Sequence, residues 1–417
     1  MAALTAVRTL LVTGAGGAGR TCVAAATAAA AARSGTRTLL LTGAAGAALD
    51  PLLPPAGTEG PAVSAAGLPQ PYGVDGFDSL YVARIDPAAS FRAGALDLQG
   101  RIGSLLAMLG AAPLDPEELT ALPGADALAM LRALREAAGA DAVWDLVVVD
   151  LPPVAEAVRL LALPEQLRRY LRRLLPEDRQ AARALRPVLA QLAGVPMPAE
   201  WAYEAASRAD HELDAVQAVI EDPGTAVAVV LTPGATAPAT LRTARTGLAL
   251  HGHRLAAVAA NRVLPTGSAD PFLAGLSADQ QDALKQLADQ CATDGVPLYE
   301  LPHLGRAPQA GLGDGPAVPV APPEPAAPGP HPPSAPWTVT DRLAADGWFV
   351  WTLPLPGATR EGLDLVRRGD ELVLDAGGFR RIVPLPSALR RCTVAGAALR
   401  DGALAVRFTP DPEVWPR

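Results

Sequence analysis

The sequence has a single lysine, Lys285, three cysteines and few aromatic residues, which make up 4% of the chain. The cysteines lie far apart and form no CxxC pair, so they indicate neither a disulfide framework nor a zinc knuckle. The formal net charge of −8 argues against a nucleic-acid-binding surface. Because Lys285 is the only lysine, any other phosphate-binding position in this chain must do without an ammonium group.

Long apolar runs are also missing from the sequence. No stretch of about 20 strongly apolar residues could span a membrane, and the alanine run Ala24–Ala32 is too short and too weakly apolar. The N-terminus lacks the basic segment, apolar core and cleavage site of a signal peptide. We therefore predict a cytoplasmic protein without a transmembrane segment. With 417 residues, 50% of them hydrophobic, the chain can bury a sizeable core and is expected to form more than one domain.

A glycine-rich segment near the N-terminus organises the rest of the chain. In Leu10–Arg33 an apolar strand is followed by a loop of glycines and alanines and then by an alanine-rich helix. The loop glycines are Gly14, Gly16, Gly17 and Gly19. Glycines permit a tight turn that points backbone N–H groups inward, and such a nest at a helix N-terminus favours an anion. Thr21 stands where a P-loop uses a hydroxyl group to bind Mg²⁺.

Two nucleotide-binding motifs and a purely structural alternative compete for this loop. The glycine spacing matches a GxGxxG dinucleotide fingerprint, but that motif expects an acid after the next strand, and the first acid is Asp50. A P-loop expects a lysine before Thr21, where this chain has Arg20, which keeps the charge but not the compact shape. A tight strand–helix connection without a ligand is the third alternative. We favour a P-loop with an altered cation.

Apolar strands alternate with helical segments up to about residue 300. The alternation predicts an α/β fold: a parallel sheet with helices on both faces and ligands at the strand carboxyl ends. The strongest strand is Trp144–Asp150, a β-branched run that ends in an acid, whereas Asp50–Asp75 is predicted to be a loop. Residues from about 163 to 222 predict a helical insertion. Its arginines are expected on a solvated helix face: Arg168, Arg169, Arg172 and Arg173.

The C-terminal part of the chain differs in composition. Residues 313–337 are rich in proline and alanine and predict an extended linker. Residues 338–417 contain short alternating strands joined by glycine-containing turns, which predict a small antiparallel β-sandwich without a nucleophile–base pair or a metal cluster. The sequence alone leaves open whether this sandwich packs on the first domain.

Several ordered segments resemble the ArsA-like ATPases, the family of arsenical pumps and of factors that target tail-anchored proteins. GAGGAGRT resembles the family's deviant P-loop, GKGGVGKT, and VVVDLPPVAEAVRLLALPE resembles its switch II segment. LYVARIDPAAS, ELTALPGADAL and VAANRVLP resemble three further family segments, so the similarity spans roughly residues 10–306. The C-terminal segment resembles the small-heat-shock-like (α-crystallin-type) domain of some bacterial ArsA-like proteins. The resemblance implies an ATPase domain over residues 1–312 that binds ATP or ADP with Mg²⁺.

The resemblance also assigns roles to individual residues. It places nucleotide contacts at the loop and at an adenine-contacting asparagine: Gly14, Gly16, Gly17, Ala18, Gly19, Arg20, Thr21, Cys22 and Asn261. Thr21 and Asp150 correspond to the residues that hold Mg²⁺. The lysine that reaches the dimer partner's nucleotide is replaced by Ala15, and the P-loop lysine by Arg20. Gly43 replaces the catalytic aspartate of switch I, so no catalytic residue is assigned.

These substitutions predict a protein that binds nucleotide and hydrolyses it slowly or not at all. Loss of a charge-stabilising donor typically costs about 10²–10³ in rate, and loss of a general base about 10²–10⁴. The favoured function is a regulatory, targeting or dimer-partner subunit, as a homodimer or with an intact ArsA-like relative, and a protein client is a further expected partner. The alternatives are an active, slow ATPase that uses Arg20 in protein targeting or transport, and a non-enzymatic scaffold that binds partners through the sandwich.

Metal transport is disfavoured because soft metalloids need clustered thiolates. Two histidines, His251 and His253, lie two residues apart before a strand. Without a third ligand they are expected in a solvated turn rather than in a metal site.

Overall fold

A nine-stranded sheet in the first domain surrounds the strand that precedes the glycine loop. The structure is a computed structural model that describes residues 7–60, 69–101, 103, 112–139, 142–175, 200–305 and 337–415. The strands of this sheet are β1 (Arg8–Gly14), β2 (Thr38–Thr42), β3 (Pro55–Glu59), β4 (Tyr72–Val74), β5 (Leu80–Arg84), β6 (Leu146–Pro153), β7 (Thr225–Leu231), β8 (Leu255–Val263) and β9 (Leu298–Pro302). Their order across the sheet is β3-β4-β5-β2-β6-β1-β7-β8-β9. β1 therefore lies between β6 and β7, away from both edges.

From β5 across to β9, neighbouring strands run parallel, and the predicted α/β fold class is confirmed. The predicted loop at Asp50–Asp75 was wrong in part, because β3 and β4 extend one edge of the sheet as antiparallel strands. All five residues of β3 are exposed. An edge strand is held by backbone hydrogen bonds and needs no apolar pattern, so its sequence resembles that of a loop.

Helices cover both faces of the sheet. The described helices of this domain are α1 (Arg20–Arg33), α2 (Gly46–Leu49), α3 (Pro87–Arg101), α4 (Ala125–Ala138), α5 (Val154–Leu174), α6 (Glu200–Glu221), α7 (Ala237–His251) and α8 (Pro271–Asp294), with a 3-10 turn at Pro116–Glu118. Leu10 and Val12 of β1 pack with the alanines of α1, and Leu11 lies in the core of the opposite face with residues of α4, α5 and α7. Small side chains let α1 lie close to the sheet, which brings its N-terminus to the end of β1. Among the helices described, none has the length and apolarity that a membrane span requires.

The predicted helical insertion begins earlier than residue 163. α5 follows β6 directly, with Pro153 as its N-cap residue and Pro164 inside the helix. α6 packs against α5. Residues 176–199 lie outside the described part of the chain, so the insertion is described only at its two ends.

The arginines of α5 differ in their surroundings. Arg168 donates to Asp210 of α6 (Nε–Oδ1, 3.2 Å), and only 13% of its side chain is exposed. Arg169 pairs with Glu371 of the C-terminal domain. The two later arginines of the cluster are more than half exposed. The prediction of a solvated face was therefore wrong for Arg168 and Arg169, because α6 and the C-terminal domain cover this part of the helix.

The C-terminal domain is the predicted antiparallel β-sandwich. Its elements are β10 (Thr338–Arg342), α9 (Leu343–Asp346), β11 (Trp348–Pro354), β12 (Leu363–Arg368), β13 (Glu371–Ala376), β14 (Phe379–Pro384), α10 (Ser387–Arg390), β15 (Cys392–Arg400) and β16 (Ala403–Pro410). One sheet has the order β10-β11-β16-β15 and the other β12-β13-β14. Trp351 and Phe408 are fully buried in its core.

The sandwich packs on the first domain. Buried residues of both domains form one continuous apolar cluster that includes Leu248 of α7 and Phe379 of β14. Arg381 of β14 donates to the carbonyl oxygen of Leu250 at 2.9 Å. His251 is only 6% exposed as a result, and Nε2 of His253 is buried as well, so the predicted solvated turn was wrong at both histidines.

Candidate functional site

The loop after β1 forms a tight turn at the carboxyl edge of the sheet. A Cβ atom on Gly14 would lie 1.9 Å from the carbonyl oxygen of Val230, so only glycine fits here. The Ala15 N–H donates to the same oxygen at 3.0 Å, which fixes the start of the loop against β7. Gly17 and Gly19 have φ angles of 74° and 87°, which favour glycine. These positions explain why the loop has this composition.

α1 begins at this loop without a capping side chain. Its N-cap residue is Gly19, no described side chain caps the helix, and its first turn contains no acidic residue. Gly16 and Gly17 are exposed, so the loop opens to solvent. Uncapped N–H groups and the helix dipole together favour an anion such as a phosphate group.

Three polar side chains meet at the base of the loop: Thr21, Thr42 and Asp150. The Thr21 hydroxyl donates to Oδ2 of Asp150 at 2.7 Å, and the Thr42 hydroxyl donates to the same oxygen at 2.9 Å. Burial raises the pKa of Asp150, and the hydrogen bonds from Thr21 and Thr42 and the charge of Arg20 oppose the increase. A carboxylate beside two hydroxyl groups supplies hard oxygen donors, the ligand class that Mg²⁺ prefers. The residues present therefore fit a magnesium ion.

The guanidinium group of Arg20 is held by the main chain. It donates to the backbone carbonyl oxygen of Leu151, which lies on β6 next to Asp150. Arg20 must release this carbonyl before the same N–H group can pair with a phosphate oxygen. The cation thus lies near the loop, but one of its N–H groups is already hydrogen-bonded to the Leu151 carbonyl.

A cavity of about 580 Å³ lies beside this cluster. Arg20, Thr21 and Asp150 line this cavity. Its lining also includes Gly43 and Ala44 after β2, Met130 of α4, and Glu156 and Arg159 of α5. A Cβ atom on Gly43 would meet no atom within 4 Å. The position that the resemblance assigns to a catalytic aspartate is therefore open space with room for a side chain.

Asn261 contacts the loop from β8. Its Nδ2 donates to the carbonyl oxygen of Ala18 at 2.8 Å. A Cβ atom on Gly19 would lie 2.6 Å from this Nδ2, so the glycine permits the close approach. Cys22 lies in the first turn of α1, and burial raises the pKa of its thiol. The structure brings all the predicted nucleotide contacts together around one loop.

Sequence reasoning missed Thr42, Glu156 and Arg159 as residues of this site. Thr42 and Asp150 are partners in the register of β2 and β6. A hydroxyl residue at the carboxyl end of the strand beside Asp150 was a usable signal, because ligands bind at these strand ends. Glu156 and Arg159 lie three residues apart on α5, a helical spacing within a stretch where no helix was predicted.

The cysteines form no thiolate site in this structure. Cys22 is close to the loop, whereas Cys291 on α8 and Cys392 in the sandwich are buried elsewhere. Across the described ranges, no group of three or more His, Cys, Asp or Glu side chains is placed to hold a metal ion. A soft metalloid would find no cluster of ligands among these side chains.

Comparisons with known proteins cover both domains. The family model of the anion-transporting (ArsA) ATPases matches residues 7–304, and the model of the HSP20-like domain found in ArsA matches residues 346–408. An uncharacterised protein of Streptomyces coelicolor is 55% identical over 414 residues, 99% of this chain and 100% of that one. A protein of Mycobacterium tuberculosis is 32% identical over 432 residues, 98% of this chain and 97% of that one. A protein of Aquifex aeolicus whose name describes an arsenical pump-driving ATPase is 24% identical over 289 residues, 66% of this chain and 69% of that one.

Proposed function

Because the chain belongs to the ArsA family of anion-transporting ATPases, we propose that it binds ATP and ADP with Mg²⁺ but hydrolyses ATP slowly or not at all. The proposal rests on a comparison within the site between the residues for Mg²⁺ and those for hydrolysis. Thr21 and Asp150 remain together at 2.7 Å, whereas Arg20 is held by the Leu151 carbonyl and position 43 has no side chain. The proposal keeps the predicted domain limits: an ATPase domain over residues 1–312, a linker over 313–337 and a sandwich over 338–417.

Family membership supports nucleotide binding with Mg²⁺, since ArsA ATPases generally bind nucleotide in this form. In the proposal, the N–H groups of Gly16, Gly17 and residues 19–22 bind the phosphate groups, whereas the Ala18 N–H donates to the Ala15 carbonyl oxygen. Thr21 and Asp150 hold Mg²⁺, the latter through water. Bound Mg²⁺ neutralises charge on the phosphate oxygens. Asn261 keeps the loop in its binding conformation through its hydrogen bond to Ala18.

Hydrolysis is weakened at two positions in this proposal. Nη1 of Arg20 donates to the Leu151 carbonyl rather than to a phosphate group, and loss of one charge-stabilising donor typically costs about 10²–10³ in rate. Gly43 cannot act as a base, which typically costs about 10²–10⁴. The two losses overlap rather than multiply, but either one is large enough to make a slow ATPase nearly silent.

We further propose that the chain acts as a regulatory, targeting or dimer-partner subunit. Dimers are common among ArsA-like proteins. Ala15 supplies no cation to a partner's nucleotide, whereas an intact relative would bring its own lysine to the exposed loop of this chain. A purified mixture with such a relative should therefore hydrolyse ATP when this chain alone does not. The cytoplasmic location and the protein client stay predictions.

Calorimetric titration with ADP and ATP, with and without Mg²⁺, tests nucleotide binding. We expect micromolar binding that Mg²⁺ strengthens. Asp150→Asn should abolish the effect of Mg²⁺, because it removes the charge beside Thr21. Asp145→Asn is the matched control, since Asp145 is an exposed acid just before β6 whose carboxylate accepts the Arg37 N–H. If the wild-type chain gives neither heat nor a thermal shift, the proposal is wrong and the scaffold alternative gains support.

A further inference from the structure

One helix, α5, contacts both the nucleotide cavity and the C-terminal sandwich. We propose that the sandwich regulates the nucleotide site by holding α5 in place, so that weakening this contact tightens nucleotide binding. The inference rests on the proposed function, because it concerns the affinity of the same site. In this proposal the C-terminal domain acts on the ATPase domain of the same chain and does not serve only to bind another protein.

The first half of α5 is joined to the site by short connections. The helix starts directly after Pro153, and Glu156 and Arg159 line the cavity that contains Asp150. Between Asp150 and the helix, the Leu151 carbonyl accepts from Arg20. The next carbonyl, that of Pro152, accepts from the Thr13 hydroxyl at 2.7 Å. A displacement of α5 would therefore change the segment to which Arg20 is bound.

The second half of α5 is held by the sandwich through two arginine–carboxylate pairs. Arg381 of β14 contacts Glu165 of α5 (Nε–Oε2, 3.1 Å), and 11% of the arginine side chain is exposed. Arg169 of α5 makes a bidentate contact with Glu371 of β13, with Nη2–Oε2 at 2.6 Å and Nε–Oε1 at 3.2 Å. Bidentate pairs fix the relative orientation of the two groups as well as their distance. Two neighbouring strands of the sandwich, β13 and β14, thus constrain the same helix.

Phe379 of β14 contacts both α5 and α7. A Cβ atom on Gly247 of α7 would lie 2.7 Å from the Phe379 ring and 3.0 Å from Val158 of α5. Phe379 is only 4% exposed. The guanidinium of Arg159, which lines the cavity, lies 6.0 Å from the centre of the same ring. Arg159 therefore contacts the sandwich and the nucleotide cavity at once.

The direction of the effect follows from Arg20. The Nη1 group of Arg20 must leave the Leu151 carbonyl before it can pair with a phosphate group, and the segment at Leu151 is continuous with α5. While the sandwich holds α5, this segment keeps the arrangement in which Arg20 is engaged. A looser α5 makes the exchange easier, and coupling between sites is reciprocal, so bound nucleotide should in turn loosen the sandwich contact.

The test uses the full chain with a charge reversal, Arg169→Glu, and a second variant, Arg381→Gln. Arg169→Glu places two carboxylates together, and the swap Arg169→Glu/Glu371→Arg restores an opposite-charge pair. Arg172→Glu is the matched control, because Arg172 makes the same charge change one turn later on α5 but contacts Asp210 of α6. Calorimetry gives the Kd for MgATP and MgADP, and amide hydrogen exchange follows residues 154–174 without nucleotide.

We expect Arg169→Glu and Arg381→Gln to lower the Kd at least about fivefold, the lower end of typical coupling, and to speed exchange in α5. The charge swap should return the Kd to within about twofold of wild type, and Arg172→Glu should not change it. If the wild-type chain binds nucleotide but the variants keep its Kd, bind more weakly, or are not rescued by the swap, the regulation is refuted and the proposed function stands. If the wild-type chain binds no nucleotide, both fail.

Discussion

Hydrolysis should increase when a carboxylate is placed at position 43. A Cβ atom on Gly43 meets no atom within 4 Å, and the residue lines the same cavity as Thr21 and Asp150. Gly43→Asp should therefore fit without displacing its neighbours and bring a base to the phosphate side of the site. A positioned general base typically contributes about 10²–10⁴ in rate, and we expect an increase in this range.

A second substitution, Arg20→Lys, removes the guanidinium that donates to the Leu151 carbonyl. The lysine ammonium group is compact and free to contact a phosphate oxygen. One preorganised donor is worth about 10²–10³ in rate. Because residues of one site act together, the gains do not multiply freely. The double variant should exceed the faster single variant and stay at or below the product of the two gains.

Phosphate release from ATP under single-turnover conditions measures these rates, and calorimetry on the same samples shows whether each variant still binds MgATP. Ala45→Asp is the control, since it adds an exposed acid two residues away in the same segment. A double variant that binds MgATP as wild type does but hydrolyses it no faster would refute the reasoning. The reasoning would also be refuted if the wild-type chain already hydrolysed ATP rapidly and the substitutions did not change its rate.

Two further predictions concern stability. Burial raises the pKa of Asp150, so its contribution to stability is largest below the unfolded-state pKa of about 3.9 and is lost as the pH rises. Asp150→Asn should therefore raise Tm at pH 7 by a margin that narrows as the pH falls toward the unfolded-state pKa of about 3.9, whereas an equal change in Asp145→Asn would contradict this. Burial lowers the pKa of His251, and it lowers that of His253 to about 3. The two neutral histidines thus support folding above about pH 6.5, and the free energy of unfolding should fall below it by up to about 1.4 kcal/mol per pH unit for each histidine. Urea denaturation from pH 7.5 to 5 should show a flatter profile for His251→Gln/His253→Gln, and an equally steep profile would disprove the assignment.

The central part of the fold could be predicted because its strands are buried on both faces. Such strands appear in the sequence as continuous apolar runs, and the run Trp144–Asp150 predicts the strand that the structure places at Leu146–Pro153. The edge strand Pro55–Glu59 has no buried residue, so nothing in its composition marks it. The start of α5 was missed because Pro152 and Pro153 precede it and Pro164 lies inside it, and prolines usually indicate helix ends.

The candidate site could be predicted where it depends on the local chain. The glycine loop and Thr21 are adjacent in sequence, and Asp150 ends a strand that a parallel sheet brings to the same edge. The bond from Arg20 to Leu151 joins residues that are 131 positions apart, and no local pattern indicates it. No local pattern indicates the burial of His251 either, because the domain that covers it follows much later in the chain.

The order of synthesis gives the packing of Phe379 against Gly247 a further consequence. The helix that contains Gly247 leaves the ribosome more than a hundred residues before Phe379 does. At about 5–20 residues per second, this interval of 132 residues lasts roughly 7–26 s. During that time the sandwich does not yet cover the apolar face of the ATPase domain on which Phe379 later packs. A nascent chain arrested before the sandwich should therefore be a preferred substrate of chaperones, whereas the finished protein should not.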